Sequence, residues 1–81
     1  MMEPFIGQLQ LLPYRFPLKD WAPCEGQVLD ISRHQALFAL IGTQFGGDGE
    51  ATFALPDLSG KEPLPGLRYF IALSGIWPAT G

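Results

Sequence analysis

The sequence is poor in cysteine and histidine, and each shortage excludes a class of protein. Cys24 is the only cysteine among the 81 residues, so no disulfide can form within the chain. His34 is the only histidine, so the usual Cys/His zinc site is excluded as well. Because a single core of this size rarely supplies more than roughly 3–5 kcal/mol of net stability, self-association is the stabilising device that remains.

Charge is also scarce. Only 16% of the residues are charged, while 47% are hydrophobic, and such a surplus of apolar surface favours an interface with another chain. The formal net charge is −3 and the five basic residues are scattered, which argues against nucleic acid as a partner. No run approaches the roughly 20 apolar residues of a membrane span. The N-terminus lacks the pattern of a secretory signal, so we expect synthesis in the cytoplasm.

The many prolines and glycines predict short elements separated by loops. Alternating hydrophobicity predicts a strand over Phe5–Leu12. A second strand is predicted over Arg68–Ser74, and apolar residues on both of its faces indicate a buried, central position. Two short extended runs that turn at Glu25-Gly26 predict a hairpin over Trp21–Leu29.

One helix is predicted at about residues 32–42. Ser32 is a suitable N-cap, and Gln35 three residues later completes a capping box. Helical spacing places four apolar residues on one face, namely Ala36, Leu37, Leu40 and Ile41. Gly42 is predicted to end the helix in the left-handed conformation.

The glycines of Gly46–Gly49 predict a loop, and a short extended run follows over Ala51–Leu55. The sequence therefore predicts a small α+β fold. One short helix packs on a few short strands, much of the chain is loop, and residues 1–81 form a single domain.

Two residue sets could carry chemistry. Cys24 and His34 could form a thiol-protease pair, with Asp30 or Asp57 as the orienting group, but such a pair needs specific geometry, and a small buried hydrophobe is the simpler role for Cys24. The acidic residues Asp48, Glu50 and Asp57 could offer oxygen ligands to calcium. The simpler interpretation is a solvated turn in which Asp48 accepts bonds from nearby backbone N–H groups. We predict no catalytic residue, metal or cofactor.

The aromatic residues allow a binding role. Trp21 and Tyr14 are candidates for stacking on a glycan, beside the Gly46–Gly49 loop. The alternative is that these large side chains fill a small core.

Five motifs occur in order from Phe5 to Pro63. They are Ile6-Gly7-Gln8-Leu9, Trp21-Ala22-Pro23-Cys24-Glu25-Gly26-Gln27, the run from Gln35 to Thr43, Phe45-Gly46-Gly47-Asp48-Gly49, and the run from Thr52 to Lys61. In this order they resemble the phage tail collar domain family, a module shared with microcystin-dependent proteins. The resemblance marks as structural positions Trp21, Gly26, Gly42, Gly46, Gly47, Asp48, Phe53, Pro56 and Asp57.

The resemblance implies a structural component of a phage tail fibre or a tail-like particle, from a phage or a prophage, without catalysis. Such fibres are trimers, so the implied partners are further copies of the chain and other tail proteins, with a cell-surface glycan as the alternative. Ser59 and Lys61 stand where the family has arginines. Residues 68–77 resemble the family's terminal strand. The long glycine- and threonine-rich segment that usually precedes that strand is missing, so the chain resembles a minimal collar domain without the distal, receptor-contacting part.

Overall fold

The computed structural model describes residues 3–14 and 18–78. Within these ranges it contains five β-strands, a single-turn 3-10 helix over Ile31–Arg33 and one α-helix, α1, over Gln35–Ile41. The strands are β1 (Leu9–Leu12), β2 (Trp21–Pro23), β3 (Val28–Asp30), β4 (Thr52–Ala54) and β5 (Arg68–Ala72). The α+β class predicted from the sequence is confirmed.

A three-stranded antiparallel sheet has the order β1-β5-β2. Its middle strand, β5, is the one that the sequence predicted to be central, and Phe70, Ile71 and Ala72 are all buried. The terminal strand is shorter than the predicted 68–77, because regular pairing ends at Ala72. Beyond it, Ile76 forms only an isolated parallel bridge with Phe5.

The first strand also starts later than predicted. Phe5–Leu12 was expected to be extended throughout, but β1 begins at Leu9. Gly7 has φ +83°, a backbone conformation that glycine favours, and it turns the chain before β1. The N–H of Gly7 still donates to the carbonyl of Ala72 at 2.9 Å, so the turn stays attached to the sheet.

The predicted capping box is wrong. Ser32 lies within the 3-10 helix, and His34 occupies the N-cap position of α1 without a side-chain cap. The cause is tertiary, since the N–H of Ile31 donates to the carbonyl of Ala51 at 2.9 Å and keeps the chain paired up to the residue before Ser32. Gly42 does end α1, with φ +57°, but its ψ of −141° lies outside the left-handed helical region.

The predicted hairpin over Trp21–Leu29 is wrong as well. β2 pairs with β5, whereas β3 pairs with β4 in a separate two-stranded sheet. The segment is one extended run that passes from the first sheet to the second, and the bend at Glu25-Gly26 redirects it without folding it back.

The core lies between the two sheets and α1. Its buried cluster consists of Ala22, Cys24, Leu37, Phe53, Leu55 and Ile71. Leu37 is the buried residue of α1, and the ring of Phe38 packs against that of Phe53 with centroids 5.5 Å apart and planes inclined by 60°. One face of the three-stranded sheet, the face that carries Ala22 and Ile71, therefore belongs to this core.

We predict that Gly47→Ala destabilises the protein far more than Gly60→Ala. Both glycines have positive φ, at +93° and +81°, so each substitution should cost about 1–2 kcal/mol in strain. A Cβ at Gly47 would also overlap the Cα of Phe53 and lie 2.7 Å from the carbonyl oxygen of Thr52, whereas a Cβ at Gly60 meets nothing within 4 Å. Overpacking should bring the loss at Gly47 to about 3 kcal/mol or more. Urea unfolding measures both, and equal losses would contradict the prediction.

Candidate functional site

Cys24 is the residue at which the chain crosses between the two sheets. Its N–H donates to the carbonyl of Tyr69 on β5 at 2.9 Å, and its own carbonyl accepts from the N–H of Leu58 at 2.9 Å. The two backbone groups of one buried residue therefore serve different sheets. Since an unpaired backbone group in the core is costly, both sheets must be in place for Cys24 to be buried.

After the crossing, the chain pairs with one partner segment in a single register. The named pairs Leu29 with Phe53 and Val28 with Ala54 continue beyond the regular strands, through the bridge between Glu25 and Asp57. The N–H of Leu55 donates to the backbone carbonyl of Gln27 at 3.0 Å, and the N–H of Gly26 donates to the carbonyl of Pro56 at 3.2 Å. Residues 24–31 and 51–58 thus form one antiparallel ribbon, although only its middle is regular strand.

Gln27 holds the bend at the start of the ribbon, a role that the sequence analysis did not assign to it. Its side-chain Nε2 donates to the carbonyl of Pro23 at 2.8 Å, and its Oε1 accepts from the N–H of Glu25 at 3.1 Å. One amide therefore satisfies two backbone groups that the bend removes from regular pairing. The motif Pro23-Cys24-Glu25-Gly26-Gln27 contains this amide, but the backbone groups that the amide binds could not be deduced without the fold.

Gly26 and Asp57 face each other across the ribbon. Gly26 has φ +75°, and a Cβ there would lie 3.2 Å from the Cβ of Asp57. The Asp57 carboxylate accepts from the N–H of Ser59 at 3.1 Å and so turns the chain as it leaves the ribbon. Pro56, between Leu55 and Asp57, is buried.

The glycine loop packs on β4, and its geometry explains two of its glycines. Gly47 lies so close to the backbone of Thr52 and Phe53 that no side chain fits, and a Cβ at Gly46 would lie 3.2 Å from that of Ala54. Phe53 itself is completely buried. The backbone of the loop at Gly46 and Gly47 therefore packs against β4, while Asp48 remains exposed.

Asp48 organises the end of this loop. Its Oδ1 accepts from the N–H groups of Glu50, Ala51 and Thr52 at 2.8, 2.9 and 3.0 Å. These bonds lower the pKa of Asp48 from 3.8 to about 2, with the Thr52 N–H as the largest cause. This is the solvated turn expected for Asp48. Across residues 3–14 and 18–78, no group of three His, Cys, Asp or Glu side chains is arranged to hold a metal ion.

The Cys24 thiol is poorly suited to nucleophilic chemistry. Burial raises its pKa to about 11, so it stays protonated near neutral pH, where a nucleophilic cysteine would be a thiolate. A pocket of about 220 Å³ reaches Cys24 and is lined by Glu25, Ser59, Glu62 and Arg68 among others. His34 has a backbone role at the start of α1, since its carbonyl accepts from the N–H of Phe38 at 3.0 Å.

Tyr14 and Trp21 line one open groove of about 690 Å³. Among the described residues, its apolar lining is Pro4, Phe5, Leu12, Tyr14, Leu18 and Trp21, and its polar lining is Glu3, Gln8, Gln10 and Lys19. The described lining includes no residue of the Gly46–Gly49 loop, so the expectation that the two aromatics lie beside that loop is wrong.

The groove lies on the face of the three-stranded sheet that is turned away from the core. Gln10 is paired with Phe70, and Trp21 with Ala72, and directly paired residues project from the same face of a sheet. Ala22 and Ile71, which are also paired, project from the other face into the core. Phe70 and Ala72 are nonetheless buried, so both faces of β5 are covered at its centre.

These features define a small α+β domain in which glycine, proline and aspartate residues shape the backbone. The phage tail collar domain model matches residues 7–63, more than half of the chain, and the protein belongs to that family. Membership indicates a structural role in a phage tail. No curated protein and no solved structure matches the chain. In the part of the chain that the structure describes, no helix is long and apolar enough to cross a membrane.

We predict that Asp48 contributes to stability in a pH-dependent way. Its pKa is lower in the folded than in the unfolded chain, so its contribution is complete above about pH 4 and is lost as the pH falls towards about 2. Asp48→Asn removes the charge, and the difference in thermal midpoint between the two proteins should be large at about pH 6 and vanish near pH 2. Because the carboxylate is exposed and salt screens it, the measurement is circular dichroism in low-salt buffer. A difference independent of pH would count against this role.

Proposed function

We propose that the protein is a structural joint of a phage tail or tail-like particle, which assembles by protein–protein contacts and performs no catalysis. The observation that carries this proposal, beside the family, is exposed apolar surface. Eight large hydrophobic side chains among the described residues are more than two-fifths exposed, which is unusual for a small monomer. The self-associated state that fits the family resemblance is a trimer, with other tail proteins as further partners.

The absence of catalysis is supported by what the reactive groups do. The Cys24 thiol is buried and protonated, and the Asp48 carboxylate is occupied by three backbone donors. None of the described residues is a buried polar or charged side chain, whereas catalytic acids and bases typically have perturbed, partly buried positions. We therefore assign these groups to the fold.

The connection from Leu58 to β5 supports a minimal collar domain, one without the distal, receptor-contacting part. Residues 64–67 lead directly into β5, in place of the long variable segment that similar proteins carry there. We infer that receptor contact through such a segment is not a function of these residues. The protein would be made in the cytoplasm and incorporated into a virion or a phage-tail-like particle.

The proposed trimer predicts a mass of about 27 kDa in solution, three times the 8.9 kDa of the chain. Size-exclusion chromatography with multi-angle light scattering, at micromolar concentrations, measures this mass directly. We expect the trimer to persist in moderate salt, because apolar contacts are not screened as ion pairs are. A mass of one chain at every concentration would refute self-association.

A second candidate function is recognition of a cell-surface glycan. The observation in its favour is that Tyr14 and Trp21 line the same groove as Gln8 and Gln10, and sites for polar ligands often combine aromatic walls with a few amide groups. The Gln8 and Gln10 side chains already bond to each other at 3.3 Å, so they could orient together towards a sugar.

The glycan candidate predicts a saturable heat signal with at least one of a panel of surface polysaccharides. In isothermal titration calorimetry, Trp21→Ala should abolish the signal by removing a stacking surface. Phe45→Ala is the matched control, since Phe45 is exposed and lies outside the described lining of the groove, and it should leave binding unchanged. Circular dichroism would verify that both variants fold. No heat with any polysaccharide would eliminate this candidate.

A further inference from the structure

Half of the exposed large apolar side chains lie on one continuous surface. Phe5, Ile76 and Trp77 are 51%, 47% and 52% exposed. The backbone bridge places Phe5 and Ile76 side by side, and with Trp77, the next residue along the chain, they make up what we call the terminal patch. Phe5 also lines the groove, as does Tyr14, which is 41% exposed. The terminal patch and the groove are therefore contiguous.

The bridge that forms this patch is firmly held. The N–H of Ile76 donates to the carbonyl of Pro4, and the N–H of Ile6 donates to the carbonyl of Ile76, both at 2.9 Å. Gly75 packs so closely on the Pro4 carbonyl that no side chain fits there. The patch is thus a fixed surface whose side chains remain exposed while its backbone is satisfied.

The total surface of the chain is larger than a monomer of its mass should expose. A folded monomer of 8.9 kDa exposes about 4,800 Å², whereas this chain exposes 5517 Å². A standard interface buries roughly 800 Å² from each partner, which is about one seventh of this surface.

The composition of this surface suits a protein partner. Both tryptophans of the chain are here, Trp21 in the groove and Trp77 in the patch, and tryptophan is among the residues most enriched at the energetic centres of interfaces. Among the described residues, the charged lining of the groove is one acid and one base, Glu3 and Lys19. Across this described lining, the Glu3 of one copy and the Lys19 of another offer opposite charges that can pair.

We propose that the groove and the terminal patch form the surface through which copies of this chain assemble, facing a common symmetry axis. This rests on the proposed self-association and specifies where it occurs. Assembly buries the indoles of Trp21 and Trp77 and fills the groove. A glycan then has no access to Trp21 in the assembled protein.

The test compares variants that carry one added negative charge on the proposed surface with variants that carry it elsewhere. Phe5→Glu and Trp77→Glu should weaken self-association by at least about 30-fold, the effect typical of losing an interface hot spot. Phe45→Glu is a matched control, since Phe45 is 46% exposed but follows α1 and lies outside the described lining of the groove. Leu64→Glu, at a position 61% exposed, is a second. Light scattering over a dilution series measures association, and circular dichroism verifies folding.

The outcomes separate this inference from the proposed function. If the wild-type protein is monomeric at all concentrations, self-association itself fails. If the wild-type protein associates and the control variants dissociate while Phe5→Glu and Trp77→Glu do not, the surface is wrong although the oligomer is real. If polysaccharide binds the intact oligomer through Trp21, the groove is open and the inference is also wrong.

Tryptophan fluorescence gives a test that needs no variant. Because both indoles lie on the proposed surface, dilution of the wild-type oligomer to monomer should shift the emission to longer wavelength as water reaches them. If the emission does not change while light scattering shows dissociation, the inference is overturned, even where every substituted protein fails to fold.

Discussion

The two sheets of this domain are joined through the backbone of one buried residue. The N–H of Cys24 donates to the carbonyl of Tyr69 on β5 and its carbonyl accepts from the N–H of Leu58, so the two peptide units that flank this one residue pair with different sheets. In a core without a single buried polar side chain among the described residues, the pairing of such backbone groups decides which arrangements are allowed. The thiol contributes apolar volume, and Gln27 closes the bend beside it.

β5 is the other element on which the arrangement depends. β1 and β2 both lie within the segment that matches the family, yet they do not pair with each other; each pairs with β5, which lies beyond that segment. The strand therefore completes the sheet. It also separates two environments, because one of its faces belongs to the core with α1 and the other lies beneath the groove.

Local sequence patterns were sufficient for some features. The apolar residues on both faces of Arg68–Ser74 predicted a central strand, and the crowded glycines around Asp48 predicted a loop, because both signals depend on neighbouring residues alone. The presence of the helix was predictable for the same reason. Its start was not, because pairing of Ile31 with Ala51 overrides the capping propensity of Ser32.

Long-range pairing was what the sequence could not supply. Two short extended runs around Glu25-Gly26 look alike whether they form a hairpin or cross between sheets, and only the partners β5 and β4 distinguish the two. The meeting of Tyr14 and Trp21 in one groove depends on the same pairing. Their role as glycan contacts stays a prediction, and the described lining of the groove includes no residue of the glycine loop.

The measurement that tests the central claim most directly is amide hydrogen exchange at Cys24 and Leu58. If the backbone of Cys24 joins the two sheets, the N–H groups of Cys24 and Leu58 are released only when the whole domain opens. They should then exchange with the same free energy, equal to that of global unfolding. If Leu58 exchanges much faster than Cys24, the ribbon opens independently of the three-stranded sheet, and the account of a single shared joint is contradicted.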